Sequence, residues 1–176
     1  MTKQCVIRPV KVDDLPLLLA WRNHPSVRQF MLTQHEITAE EHANWFTRAS
    51  QDATRHLLLV EDALTPIGYV QFTPANSAGV NDWGFYAAPQ APKGSGLKLG
   101  QVALHHAFDV LGLHKVCGQA LATNVASIGF HQRLGFQQEG VLRDQHLIGD
   151  TYHSLICFGL LATEWHAQGP RTGALT

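Results

Sequence analysis

A chain of 176 residues and 19.4 kDa has room for one domain core and little more. Charged residues make up 15% against 45% hydrophobic, the wrong balance for a disordered polyelectrolyte, and Lys+Arg 13 against Asp+Glu 14 leaves no electrostatic footprint for nucleic acid. No apolar run reaches the roughly 20 residues of a membrane helix, and Met1-Thr2-Lys3-Gln4 leads into no signal-type segment, so the chain is expected to be cytoplasmic, with neither nucleic acid nor membrane as a partner.

Cys5-Val6-Ile7-Arg8-Pro9-Val10 reads as a first strand. Asp13 is a candidate N-cap, Pro16 suits a first helical turn, and Leu15, Leu18, Leu19 and Arg22 fall on one face of a helix that stops before Pro25. Thr38 and Glu41 form a capping box at the head of a second helix, whose apolar face carries His42, Trp45, Phe46 and Ala49. His56–Val60 and Gly68–Thr73, separated by Thr65-Pro66, predict a hairpin, and Val80–Ala88 a third strand of this middle region. Lys93-Gly94-Ser95-Gly96 opens a long helix with Leu97, Leu104, Phe108 and Leu111 on one face. Val116–Ala122 then reads as a buried strand and Asn124–Leu134 as a helix, and Gly140–Leu142 and Leu155–Leu160 close the sheet. The order predicts one α/β domain over residues 1–168, a mixed, mostly antiparallel sheet of about seven strands flanked by about four helices, with a disordered tail over 169–176.

A strand, a Gly-x-Gly turn and a helix make an anion site, because unpaired N–H groups at the helix start point outward with the positive dipole end behind them. Without a ligand the same residues are simply a tight turn. The loop is no Walker A motif, since no Gly-Lys-Ser/Thr follows, and no dinucleotide fingerprint, since Gly100 falls one residue late. The eleven histidines show no zinc spacing, and Cys5, Cys117 and Cys157 lie in apolar runs without ligand spacing, so no metal is expected.

One strand after the glycine helix comes Asn124-x-x-Ser127-x-x-Phe130-His131-x-x-x-Gly135-Phe136. The pair of motifs resembles the GNAT superfamily of acetyl-CoA-dependent N-acetyltransferases, and the element order resembles it along roughly the whole chain. The resemblance implies a single GNAT-type domain with acetyl-CoA as cosubstrate. It implies that the loop Lys93, Gly94, Ser95, Gly96 and Leu97 holds the pyrophosphate, mainly through the amides of Lys93, Gly94, Gly96 and Leu97. Tyr86, Ala87 and Ala88 would pair with the pantetheine arm like an added strand, Asn124 would hydrogen-bond that arm, and Ser127 would lie beside it. Two positions depart from the family pattern. Ala91 stands where Gln or Arg is usual, leaving Lys93 to supply a polar contact, and His131 stands where a tyrosine usually protonates the leaving thiolate.

The stretch from Trp21-Arg22-Asn23-His24-Pro25 to Glu41-His42 and Trp45-Phe46, with Glu139–Arg143 and Tyr152 onward, resembles one branch of that superfamily. Its members acetylate UDP-4-amino-4,6-dideoxy-N-acetyl-β-L-altrosamine in pseudaminic acid synthesis. The resemblance implies an amino sugar nucleotide as acceptor, with Arg22, His42, Thr73 and Tyr86 lining its pocket, and it leaves a homodimer open. Arg22 and His42 are polar intrusions on apolar helix faces, each either a satisfied core polar group or part of a cavity lining. Strand alternation puts Asp82, Gly84 and Tyr86 on one face, away from Trp83 and Phe85. The implied reaction is direct attack of the amine on the thioester. Asp82 or His42 would serve as base, if one is needed, and His131 as the acid. Two rivals remain at this point: a ribosomal-protein or peptide N-terminal acetyltransferase, and a non-catalytic acyl-CoA-binding module.

Overall fold

The computed structural model describes residues 5–169; apart from Gly169, the expected tail lies outside them. β1 (Cys5–Pro9) leads through a tight turn at Val12–Asp14 into α1 (Leu15–Asn23) and the short α2 (Pro25–Arg28), and α3 (Ala39–Gln51) completes the helical N-terminal region. Next come β2 (His56–Asp62), β3 (Thr65–Pro74), β4 (Val80–Ala87), α4 (Ser95–His105), β5 (Lys115–Leu121), α5 (Val125–Leu134), β6 (Gln137–Ile148), β7 (Thr151–Leu161) and α6 (Ala162–Ala167). The seven strands are ordered β1-β2-β3-β4-β5-β7-β6 in one sheet. Every neighbouring pair is antiparallel except β4 and β5, which run parallel. This is the expected mixed sheet, with α2 and α6 as the two helices not anticipated.

Period-two alternation in a run of apolar residues divides the core. Leu57, Leu59 and Tyr69 face α1 and α3, meeting Leu18, Trp21 and Ala49. Leu58, Val60, Val70 and Phe72 face the opposite layer, where Leu99, Val102, Ala103 and Leu104 of α4 and Phe130 and Leu134 of α5 cover them. A strand buried on both faces reads as a continuous apolar run, which is why His56–Val60 shows no polar alternation. Each fully buried Leu or Ile contributes about 1.5–3 kcal/mol over exposure, so the two layers carry most of the stability.

Three local expectations are corrected. Asp13 caps nothing; Asp14 does the work one residue later, accepting the Lys11 N–H at 2.7 Å and both Arg8 guanidinium nitrogens. Leu97 is exposed, and the buried face of α4 runs instead through Leu99, Val102 and Ala103. The helix then widens into a π turn at His106–Val110, which resets the periodicity. Finally, β6 and β7 extend well past Gly140–Leu142 and Leu155–Leu160 into a long hairpin, whose polar positions show no strand alternation.

Candidate active site

The site begins with a fault in the sheet. β4 and β5 pair only through Val80–Asp82 and Lys115–Cys117, and beyond those residues the two strands part. Their facing edges, Gly84–Ala88 on one side and Gly118–Leu121 on the other, wall a cleft of about 720 Å³. An unpaired strand edge offers N–H and C=O groups to an extended ligand. Asn124, Ser127 and Phe130 complete the β5 wall, and Phe30, Met31 and Leu32 line the cleft from the loop after α2.

The two caps nearby are read directly from the residues. Asn124 caps α5, its Oδ1 accepting the Ser127 N–H at 3.1 Å, which leaves its NH₂ group for a ligand. At the head of α4, Gly94 takes a left-handed φ of 93°, a conformation that other residues rarely adopt. A Cβ on Gly96 would meet nothing within 4 Å, so the loop presents bare backbone to open space. Among the described residues, the amides of Lys93, Gly94 and Gly96 donate to no backbone carbonyl, as a pyrophosphate cradle needs. The Leu97 amide does not fit that role, because it donates to Gly94 O at 3.1 Å within the first turn, and the Ser95 amide likewise donates to Pro92 O.

Asp82 lies in the cleft at the point of divergence, opposite Cys117, with Thr73 beside it on β3. Burial raises the Asp82 carboxyl above its ordinary value, a shift toward better proton acceptance. Tyr86 turns its ring inward against Tyr69, ring centroids 5.1 Å apart, and donates its hydroxyl to Leu18 O at 3.4 Å. Burial holds its phenol neutral, and Tyr86 lines the cleft where β4 has parted from β5.

His131 is not where the motif implied. It is fully buried, its Nδ1–H donates to Ser127 O at 2.8 Å, and its Nε2 accepts the Trp83 indole N–H at 3.1 Å. A carbonyl can only accept and an indole can only donate, so the ring is the neutral Nδ1–H tautomer with neither nitrogen to spare. Burial lowers its affinity for a proton further. The assignment of His131 as general acid is therefore corrected: both ring nitrogens are committed and the side chain does not line the cleft.

The acceptor-side residues also separate. Thr73 reaches the site only through its place beside Asp82. Arg22 does not line the cleft; it donates one nitrogen to Thr33 O at 3.0 Å, while its other terminal nitrogen is buried with no partner. His42 does not line the cleft. It stacks on Trp45 with centroids 5.1 Å apart and faces a second cavity, of about 550 Å³, between α1 and α3. Burial, then the charge of Arg22, keep its imidazole neutral. Cys117 and Gln119 were missed as cleft residues. Their signal is present in the sequence, since Cys117 and Gln119 alternate along β5 with Val116, Gly118 and Ala120.

The sequence profile of the acetyltransferase (GNAT) domain matches residues 4–137. This chain belongs to the GNAT acetyltransferases. As a GNAT enzyme it transfers an acetyl group from acetyl-CoA to an amine, and the cleft, the bare loop amides and the α5 cap are the parts of this chain that suit that cosubstrate. Among relatives, acetyltransferase PseH of Campylobacter jejuni is 29% identical over 124 residues, covering 70% of this chain and 77% of that protein. The spermidine N(1)-acetyltransferase of Vibrio cholerae is 23% identical over 158 residues, 88% of this chain and 91% of the other. The crystal structure of spermidine N-acetyltransferase from Vibrio cholerae, in complex with CoA and spermine, superposes with a TM-score of 0.85 at 22% identity, covering 93% of this GNAT chain and 98% of that one. No described helix is long and apolar enough to cross a membrane.

Proposed function

We propose that the acceptor is the 4-amino group of a UDP-4-amino-4,6-dideoxy sugar, the substrate class of the branch that the Trp21–Phe46 segment resembles. The observation that carries this reading is Arg22, a guanidinium on α1 near enough to Tyr86 to interact with it electrostatically, with one terminal nitrogen buried and unpartnered. A buried charge left unpaired is costly, and a diphosphate oxygen is the kind of group that would satisfy it. The 29% identity to PseH supports the same branch. A polyamine would call for several carboxylates along its path, and Asp82 is the one acidic residue among those lining the cleft.

On this reading the free amine attacks the acetyl carbonyl carbon. The C–N bond forms as the carbonyl electrons move onto oxygen, where an unpaired N–H on the β4 edge near Tyr86 stabilises them. Asp82 accepts the proton from nitrogen, directly or through one water, and its raised proton affinity suits that task. The C–S bond then breaks and the thiolate takes a proton from water in the open cleft, since His131 is committed elsewhere.

The test is a competition: the protein and acetyl-CoA are offered UDP-4-amino sugars, spermidine and a basic peptide together, and the products are weighed by mass spectrometry. Acetylation of the sugar nucleotide is expected. A mass gain confined to spermidine or to the peptide overturns the reading, as does acetyl-CoA binding with no transfer to any of them.

A further inference from the structure

Two strands that part after three residue pairs need something to fix how far they part. Trp83 and Gly118 are the first residues beyond the last pair, Asp82 and Cys117. A Cβ on Gly118 would lie 2.6 Å from both His131 Nε2 and Trp83 Nε1, so the bond between those two rings passes directly over the Gly118 backbone, in the angle of the divergence. From that point the other ring nitrogen of His131 reaches back 2.8 Å to Ser127 O in the first turn of α5. Trp83, Gly118 and Ser127 all line the cleft, and His131 touches all three from behind. The ring lies flat against Phe158, centroids 4.6 Å apart and planes 7° from parallel, with Phe136 edge-on at 5.1 Å. Trp83, Phe85 and Phe130 complete the rings around it, which gives it polar contacts in two directions and apolar walls in the rest.

We propose that His131 is a positioning residue for acetyl transfer: it ties Trp83 of β4 to Ser127 of α5 across Gly118 and so sets the width of the cleft that receives the thioester. The role needs one donor and one acceptor on a single flat side chain. Phenylalanine would fill the same space and supply neither, stranding a buried indole N–H. Glutamine supplies both. The cleft would then widen without any change of residue at Asn124, Ser127 or the loop glycines, and small misplacements of reacting groups are expensive in rate.

The inference concerns the acetyl-CoA side and does not depend on which amine is acetylated. Its test compares wild type, His131→Phe, His131→Gln and Gly118→Ala by acetyl-CoA calorimetry, steady-state kinetics and ¹⁵N NMR of the imidazole. In wild type the His131 nitrogens should report the Nδ1–H tautomer unchanged from about pH 5.5 to 8.5, across the range where free His titrates. His131→Phe should weaken acetyl-CoA binding by about tenfold and raise its KM in step, a loss within the reach of a small misplacement. His131→Gln should recover to within about threefold of wild type, on the same scale. Gly118→Ala should mimic His131→Phe while leaving His131 in place. If His131→Phe loses only kcat, and neither His131→Gln restores it nor Gly118→Ala reproduces the loss, the residue is an acid and the proposal fails. It fails equally if all three variants lose thermal stability with acetyl-CoA affinity unmoved, or if the ring titrates in that window. Should His131→Phe not fold, Gly118→Ala, His131→Gln and the wild-type NMR decide the matter alone.

Discussion

On the proposed reading, the coenzyme side of the cleft and the acceptor side are made of different materials. The first is backbone: the parted edges of β4 and β5, the bare amides around Gly94 and Gly96, and a helix capped by Asn124. The second, as proposed, is side chain: Asp82 at the divergence with Thr73 beside it, and, outside the cleft lining, Arg22 with an unsatisfied nitrogen. Backbone geometry is common to any sequence that folds this way, so one coenzyme can be held by one scaffold while acceptors change by substitution. The difference makes a prediction about mutants: damage on the first side should appear in acetyl-CoA affinity, and damage on the second in acceptor KM or kcat.

The hardest break of the first side is Gly96→Val. Its Cβ would project into open space, so the fold should survive, but that space is where a pyrophosphate must meet the backbone. Acetyl-CoA affinity should fall by at least about a hundredfold, the scale of losing charge-assisted hydrogen bonds worth about 1.5–3 kcal/mol each. Calorimetry on a variant with native melting behaviour checks this, and unchanged affinity would move the coenzyme site elsewhere.

Next in size is Asp82→Asn on the other side. It should cut kcat by roughly a hundredfold or more, within the range for general bases, while leaving acetyl-CoA affinity alone. The base must be ionised to act, so the wild-type rate should fall as pH drops through the raised Asp82 value. That acid limb should vanish in the variant. A retained limb would place the base on another group or on none.

These two sides were not equally legible. The loop and the capped α5 stand in the residues themselves, because glycine and asparagine at such positions have local geometric reasons. The capping box of α3 is equally local, and the order of seven strands follows from apolar runs and turns. His131 could not be read that way. Helical spacing puts it on a face with Ser127, but what closes over that face comes from β4, β5 and β7, far away in sequence: Trp83, Gly118 and Phe158. His42 misled for the same reason, since an apolar helix face can meet either the cleft or the separate cavity between α1 and α3.

Arg22→Ala sharpens the comparison within the acceptor side. It should raise acceptor KM by roughly tenfold to a hundredfold, the worth of one charge-assisted contact. It should not lower the melting temperature, because burial already disfavours the guanidinium and one of its nitrogens has no partner. His42→Ala should do the reverse, losing the stack on Trp45 and about 1–2 kcal/mol of stability with little change in acceptor KM. Urea unfolding alongside kinetics separates the two. Equal effects on acceptor KM would mean that both line one pocket.

The smallest effect tests whether the two sides are independent at all. Thr38 accepts the Glu41 N–H at 3.1 Å, and the Glu41 carboxylate accepts the Thr38 N–H at 2.7 Å, closing the head of α3. Thr38→Ala removes the first bond and keeps the second, at a cost of about 1 kcal/mol. The surviving bond is pH-dependent. The Thr38 amide, then His35, hold the Glu41 carboxyl below its ordinary value, so its stabilisation is complete above the unfolded value and fades as pH falls through the lowered one. The variant should therefore lose its remaining cap on acidification while wild type still keeps the Thr38 hydroxyl bond. Because α3 packs on the layer opposite α4 and α5, acetyl-CoA affinity should not move at neutral pH. If it does, the backbone side and the side-chain side are coupled through the sheet, and the separation drawn between them fails.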